Sequence, residues 1–306
     1  KDLAASVWGY QTGQAGSILS KSDHNVARQN PADYLKGLEI TVKQALALAK
    51  KADKKFSADK VVGIGVDTTG STPIPVDANG TPLAMLPKFK NNPNAAVWLW
   101  KDHTGYAEAA KITEVARKMR PQYLAKCGGI YSSEWFFSKI WHCLKVDKKV
   151  FDAAYTWVEH ADWIPGVLTG TDHPSKLKRC RCAAGHKAMF SDAWGGYPDK
   201  KFLMALDPKL GRVRDSLPNT TYAIDTAAGG LTAAWAKKLG LPAGIPVAIG
   251  AFDAHLGGVG SGIQPGTLVK IIGTSTCDMA ISDSTKKLKD IPGICGIVDG
   301  SILPGY

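Results

Sequence analysis

Cysteine is scarce in this chain, with six in 306 residues. Their scatter excludes a disulfide-built scaffold and reads as the reduced thiols of a cytoplasmic protein. Cys180-x-Cys182 is the one close pair, and with no second cluster at zinc spacing it is not a metal site. No two of the seven histidines stand at His-x-x-x-His spacing. No apolar run reaches the ~20 residues of a membrane span, and the opening Lys1-Asp2-Leu3-Ala4-Ala5-Ser6 lacks the apolar stretch of a secretory signal. Acidic residues are outnumbered, 27 against 38 Lys and Arg, which leaves a net charge of +11. That excess invites a nucleic-acid or anionic-substrate reading. The basic residues, however, fall into short separate runs: Lys50, Lys51, Lys54 and Lys55; Lys176, Lys178, Arg179 and Arg181; Lys286, Lys287 and Lys289. Without interleaved aromatics these runs read as solvated surface, so neither a nucleic acid nor a membrane is expected as a partner. Internal repeats and low-complexity tracts are absent too, which excludes solenoids and long disordered tails.

What is present is ordinary globular composition, 44% hydrophobic, at a length that fits about two domains. A helix is expected over residues 31–50, capped by Asn30, opened by Pro31 and striped by Leu35, Leu38, Val42, Leu46 and Ala49. Residues 61–66 form a continuous apolar run, expected as a strand buried on both faces of a parallel sheet. The polar Asp67-Thr68-Thr69-Gly70-Ser71-Thr72 follows, at the strand end where α/β proteins place ligands. Further helices are expected over 106–119, around Trp135, Phe136, Lys139, Ile140 and Leu144, from near Asp162, and over 232–239. Residues 246–251 read as a buried strand ending at Phe252-Asp253. Residues 267–272 and 279–281 read as two strands joined by a Gly-rich turn. This alternation gives an α/β protein with a second domain beginning near Gly262.

Asp253 is the first chemical candidate, standing between an apolar strand and a Gly-rich helical stretch. A carboxylate there can take a proton from a substrate hydroxyl, or simply cap the helix. Gly273-Thr274-Ser275-Thr276 offers backbone N–H and hydroxyl groups to phosphate oxygens, although ordinary hairpins use the same residues. Gly70-Ser71-Thr72 lacks the Gly-Lys-Ser/Thr ending of a P-loop. Trp100-Lys101-Asp102-His103 unites an aromatic face with a carboxylate, as a polyhydroxylated ligand requires, or forms a core Trp beside a salt bridge. Lys187 is a lone lysine among small residues, the usual mark of a surface position.

Taken together, five stretches resemble the FGGY family of carbohydrate kinases, and within it the L-ribulokinase branch. They are residues 61–73, 97–104, 128–136, 184–187 and 273–278, with 162–170 similar to a segment shared more widely among these kinases. The resemblance implies the actin-like ATPase (ribonuclease H-like) fold, two domains around a cleft. Residues 1–262 would be the amino-terminal sugar-binding domain, lacking its first strand and turn, and 263–306 the start of the nucleotide-binding domain. The family's Asp-x-Gly-Thr/Ser turn and its later adenosine-binding part are not in this sequence, so a partial kinase chain is expected. The implied activity is phosphorylation of L-ribulose to L-ribulose 5-phosphate by ATP with Mg²⁺, in arabinose catabolism. D-ribulose or xylulose, or a non-catalytic sugar-binding protein, stand as alternatives. By the same resemblance Asp253 is the catalytic base, and Gly70, Ser71, Ile74, Trp100, Asp102 and Lys187 lie at the sugar. Gly273, Thr274, Ser275 and Thr276 form the phosphate-binding hairpin. Such kinases commonly pair through exposed helices, so a homodimer is also implied.

Overall fold

The computed structural model describes residues 2–273 and 276–306. The chain opens with strands β1 (Ile18–Leu19) and β2 (Ala27–Gln29) and the long helix α1 (Pro31–Ala52). Asn30 caps α1 by accepting from the Ala32 N–H at 3.0 Å, and Pro31 takes the first position, where its missing N–H costs nothing. Lys50 turns back onto the Lys54 and Phe56 carbonyls, so this basic run is a helix end that satisfies its own turn.

Next come β3 (Asp67–Thr68), β4 (Pro73–Val76), β5 (Val97–Trp98), and the helices α2 (Tyr106–Met119), α3 (Pro121–Ala125), α4 (Phe136–Val146) and α5 (Lys148–Ala153). Strand β6 (Thr156–Glu159) leads into α6 (His160–Thr169), followed by α7 (Arg181–Lys187), α8 (Lys200–Leu206) and α9 (Leu210–Asp215). The order closes with β7 (Ala227–Gly230), α10 (Ala233–Leu239), β8 (Pro246–Ala248), β9 (Ala251–Phe252), α11 (Asp253–Gly260) and the hairpin β10 (Val269–Ile272) and β11 (Thr276–Met279).

The fold is mixed α/β. Antiparallel pairs join β1 to β2, β2 to β5, β4 to β6 and β7 to β8, while β3 and β9 run parallel with Asp67 opposite Ala251 and Thr68 opposite Phe252. The largest apolar cluster gathers α2, α4, α5, α8 and α9 around Ile112, Phe137, Ile140, Phe151, Phe202 and Leu210. A second ties α1, β4, α6 and α10 together through Tyr34, Ile74, Trp163, Leu168 and Leu239. The third is small and joins α6, α7 and β9: Ala161, Cys182, Ala183, Ile249, Ala251 and Phe252.

Residues 61–66 differ from the doubly buried strand expected of them. Ile64 donates to the Pro246 carbonyl and accepts from the Ala248 N–H, each at 2.9 Å, so the run lies parallel to β8 and β9. Among the described residues it is paired on that side alone, and Val62 is 82% exposed. A continuous apolar run identifies a strand without counting its neighbours. The final hairpin also turns more tightly than expected, because its second strand starts at Thr276 rather than at 279. The tail beyond it lies against α3 and α7, with Gly296 donating to the Lys126 carbonyl at 2.8 Å and Ser301 meeting His186 at 2.8 Å.

Candidate active site

The segments that leave the carboxyl ends of the parallel strands β3 and β9 lie side by side, and the face between them is the candidate crevice. Asp253 is the residue after β9 and the first of α11, where side chains leave the sheet and backbone N–H groups are still unpaired. It is exposed, and its Oδ1 accepts from the Ala254 N–H at 2.7 Å. Partial burial raises the pKa of its carboxyl above the usual 3.8, and the negative charge of Asp67 raises it further. A carboxyl held in this way binds a proton more readily than that of a free aspartate.

The helix carrying Asp253 is pinned from below. His255 is buried, with Nδ1 2.7 Å from Cys182 Sγ on α7 and its ring 4.4 Å from that of His186. Burial pushes His255 down to about 4 and His186 well below its ordinary value, so both rings are neutral near pH 7. This contact brings α7 beside α11 and with it Lys187, the last residue of α7. Its Nζ stands 5.2 Å from the Trp135 ring centre, and its backbone carbonyl accepts from the Tyr131 hydroxyl at 2.7 Å. Lys187 is thus a half-buried cation held on an aromatic face, not the free surface lysine its sequence neighbours imply.

The loop after β3 closes the other wall. A side chain on Gly70 would collide with the ring of Phe252, the residue before Asp253, so glycine lets this loop lie directly against β9. Ser71 follows at 1% exposure, with its hydroxyl bonded to Glu159 and the Thr72 N–H donating to the other Glu159 oxygen at 2.6 Å. Lys139 of α4 is fully buried and donates to the carbonyls of Ser71 at 2.8 Å and Leu99 at 2.6 Å. The sequence alone places Lys139 inside a helix and assigns it no role. Its signal was a lysine interrupting the apolar positions Phe136, Ile140 and Leu144.

Three expected sugar contacts are buried away from a ligand: Ser71, whose hydroxyl is committed to Glu159, Ile74 and Asp102. Ile74 is 0% exposed in the core, because β4 pairs with β6 there and is covered on both faces. Asp102 is also 0% exposed, accepting from the Ala27 N–H at 2.8 Å and from the Thr104 N–H and hydroxyl, and ion-paired to Arg28. Its oxygens are occupied, so it braces the turn that carries half-buried Trp100 rather than facing a ligand. The Arg28 guanidinium in turn lies 3.3 Å from the Trp98 ring centre, and burial pushes it down to about 9. Gly70 thus lies against Phe252, the residue before Asp253, and the contact between His255 and Cys182 brings α7, which ends at Lys187, beside α11, with Trp100 at the end of the braced turn. Gly273 and Thr276 are exposed at the hairpin, while Thr274 and Ser275 lie outside the described residues.

Two hollows of ≈ 410 and ≈ 420 Å³ lie elsewhere, one around Gly13, Leu19 and Val26 and the other beside α2 at Tyr106 and Tyr131. Neither is lined by Asp253, Lys187 or Gly70, so chemistry rather than hollow size marks the crevice.

Residues 10–260 match the N-terminal domain of the FGGY family of carbohydrate kinases. The chain is 50% identical to a ribulokinase of Vibrio parahaemolyticus over 99% of its own length and 53% of the relative's. It is 37% identical to a ribulokinase of Shouchella clausii, over 100% of this chain and 53% of that one. Among solved structures, a xylulose kinase from Rhodospirillum rubrum superposes with a TM-score of 0.69 at 20% identity, covering 94% of this chain and 52% of its own. The Plasmodium falciparum glycerol kinase with ADP gives 0.64 at 14% identity, covering 85% and 47%. The chain spans about half the length of the curated relatives it matches.

Proposed function

The chain belongs to the FGGY family of carbohydrate kinases, and from that premise we propose that the protein carrying it phosphorylates L-ribulose with ATP. The observation that carries the choice of sugar is the 50% identity to a ribulokinase across 99% of the chain. L-ribulose 5-phosphate would be the product, in arabinose catabolism and in the cytoplasm, where six free cysteines stay reduced.

In this reading the terminal 5-hydroxyl of the sugar lies against Asp253. The carboxylate accepts its proton as the oxygen forms a bond to the γ-phosphorus, and the bond from that phosphorus to the bridging oxygen breaks to release ADP. Lys187 and Gly70 line the sugar, with Trp100 beside them, and the hairpin from Gly273 through Thr274 and Ser275 to Thr276 receives phosphate oxygens. Asp253 orients the nucleophile, since phosphoryl transfer depends chiefly on position and on neutralised charge. Among the described residues no three His, Cys, Asp or Glu converge to hold a metal. Mg²⁺ would enter with the ATP phosphates, whose negative charge it would neutralise.

The test is a coupled ADP-release assay on the full-length protein with L-ribulose, D-ribulose and D-xylulose. L-ribulose is expected to give the highest kcat/KM. Preference for D-xylulose would replace the sugar while leaving the family intact, and turnover of no ketose would refute the reading.

A further inference from the structure

Fully buried lysines are rare, and Lys139 is spent on two backbone carbonyls in separate loops rather than on a direct ion pair. One is Ser71, in the loop that lies against β9. The other is Leu99, whose carbonyl also accepts from the Asp102 N–H at 3.0 Å and so begins the turn holding Trp100. Glu159 approaches the first loop from the opposite side, accepting from the Ser71 hydroxyl and the Thr72 N–H. Ser71 is therefore held at its carbonyl by a cation and at its hydroxyl by an anion. The same elements close the arrangement: Pro73 pairs with Glu159 across β4 and β6, and the His160 N–H donates to the Thr72 carbonyl at 3.1 Å.

We propose that Lys139 and Glu159 are positioning residues, a buried pair of charges that fixes the Gly70–Ser71–Thr72 loop and the Leu99–Trp100 turn relative to each other and so sets how tightly the sugar is held. The inference rests on the sugar-kinase reading for its substrate, not for its geometry. Burial pulls the lysine toward neutrality and the carboxyl toward its protonated form, while each partner's charge opposes that tendency in the other. Arg28, Glu134 and Lys187 act on Lys139 at longer range and Asp162 acts on Glu159, so the crevice cation Lys187 belongs to the same field. Stability alone does not account for such a pair, because apolar or neutral residues of similar volume usually match or exceed buried ions. What neutral side chains cannot reproduce is four directed hydrogen bonds to two loops.

The experiment uses the full-length protein with Glu159→Gln, which keeps an acceptor, and with the double variant Lys139→Met/Glu159→Gln, which removes both charges together. For the double variant we expect a melting temperature at or above wild type, KM for L-ribulose raised about tenfold or more, and KM for ATP unchanged within about twofold. Glu159→Gln alone, which leaves the Lys139 charge buried without its counter-charge, should melt below both and also show a raised KM for L-ribulose. An unchanged KM for L-ribulose in the double variant, or a loss of activity that follows a loss of melting temperature with both KM values unchanged, would overturn the proposal. Should the wild-type protein phosphorylate no ketose, the sugar-kinase reading fails by itself. Amide hydrogen exchange then decides the pair: faster exchange confined to residues 70–73 and 99–102 in the double variant upholds it, and equal exchange removes it.

Discussion

Asp67 opens β3 opposite Ala251, two residues before Asp253 on the neighbouring parallel strand, and its charge acts on the Asp253 carboxyl. Removing the Asp67 charge takes away one of the two causes that raise the Asp253 pKa, so Asp67→Asn should move the acid limb of the kcat/KM profile to lower pH. A limb that stays in place or moves upward would deny the coupling. Glu108 shows the opposite shift. Burial alone would raise it, but hydrogen bonds from His142 and Lys145 hold it down to about 2 against the usual 4.5. Its folded pKa is depressed, so the stability it supplies is complete above about 4.5 and is lost as pH falls toward 2. Urea midpoints should fall across that window, and Glu108→Gln should flatten the slope. At this scale the placement of Asp253 between a strand and a helix is legible in the sequence, because a strand end followed by small residues is a local pattern. It does not disclose that Asp102 is sealed by Arg28, since the two are brought together only by the pairing of β2 with β5.

Elements that carry their own end signals were the most legible. α1 begins at its Asn30-Pro31 signal, and α10 lies between the Thr232 cap and Gly240 in the left-handed region. Strands were harder to read, because their burial depends on neighbours distant in sequence, as the half-exposed run at 61–66 shows. β9 illustrates the consequence for function. Three residues separate Val247 from Ala251 where two separate Ile64 from Asp67, so the strand bulges at Ile249 and Gly250 just before it delivers Asp253. A side chain on Gly250 would collide with the Ala161 carbonyl oxygen at the start of α6. Gly250→Ala should therefore destabilise the fold by roughly 2 kcal/mol or more and displace Asp253, measured as a lower urea midpoint and a lower kcat. An alanine variant with wild-type stability would show that β9 and α6 are not in close contact there.

For the whole molecule, the α/β architecture and its sugar-kinase fold were readable because the motifs are long and contiguous, and the superposition on a xylulose kinase at a TM-score of 0.69 bears this out. The division of labour between loops was not readable, because it is set by buried charges such as Lys139 and Glu159 that join α4, β6 and two loops at once. The candidate crevice draws on several of these parts: Asp67 and Asp253 lie on or just after β3 and β9, α7 ends at Lys187 beside α11, and the glycine loop lies against Phe252. If that meeting point is the reacting centre, one substitution separates chemistry from folding. ATP-dependent phosphorylation of L-ribulose should be measured for the full-length protein and for Asp253→Asn, each with its melting curve. A loss of about 10²- to 10⁴-fold in kcat at an unchanged melting temperature is the predicted result; an Asn variant that turns over like wild type would contradict the assignment of Asp253 as the base.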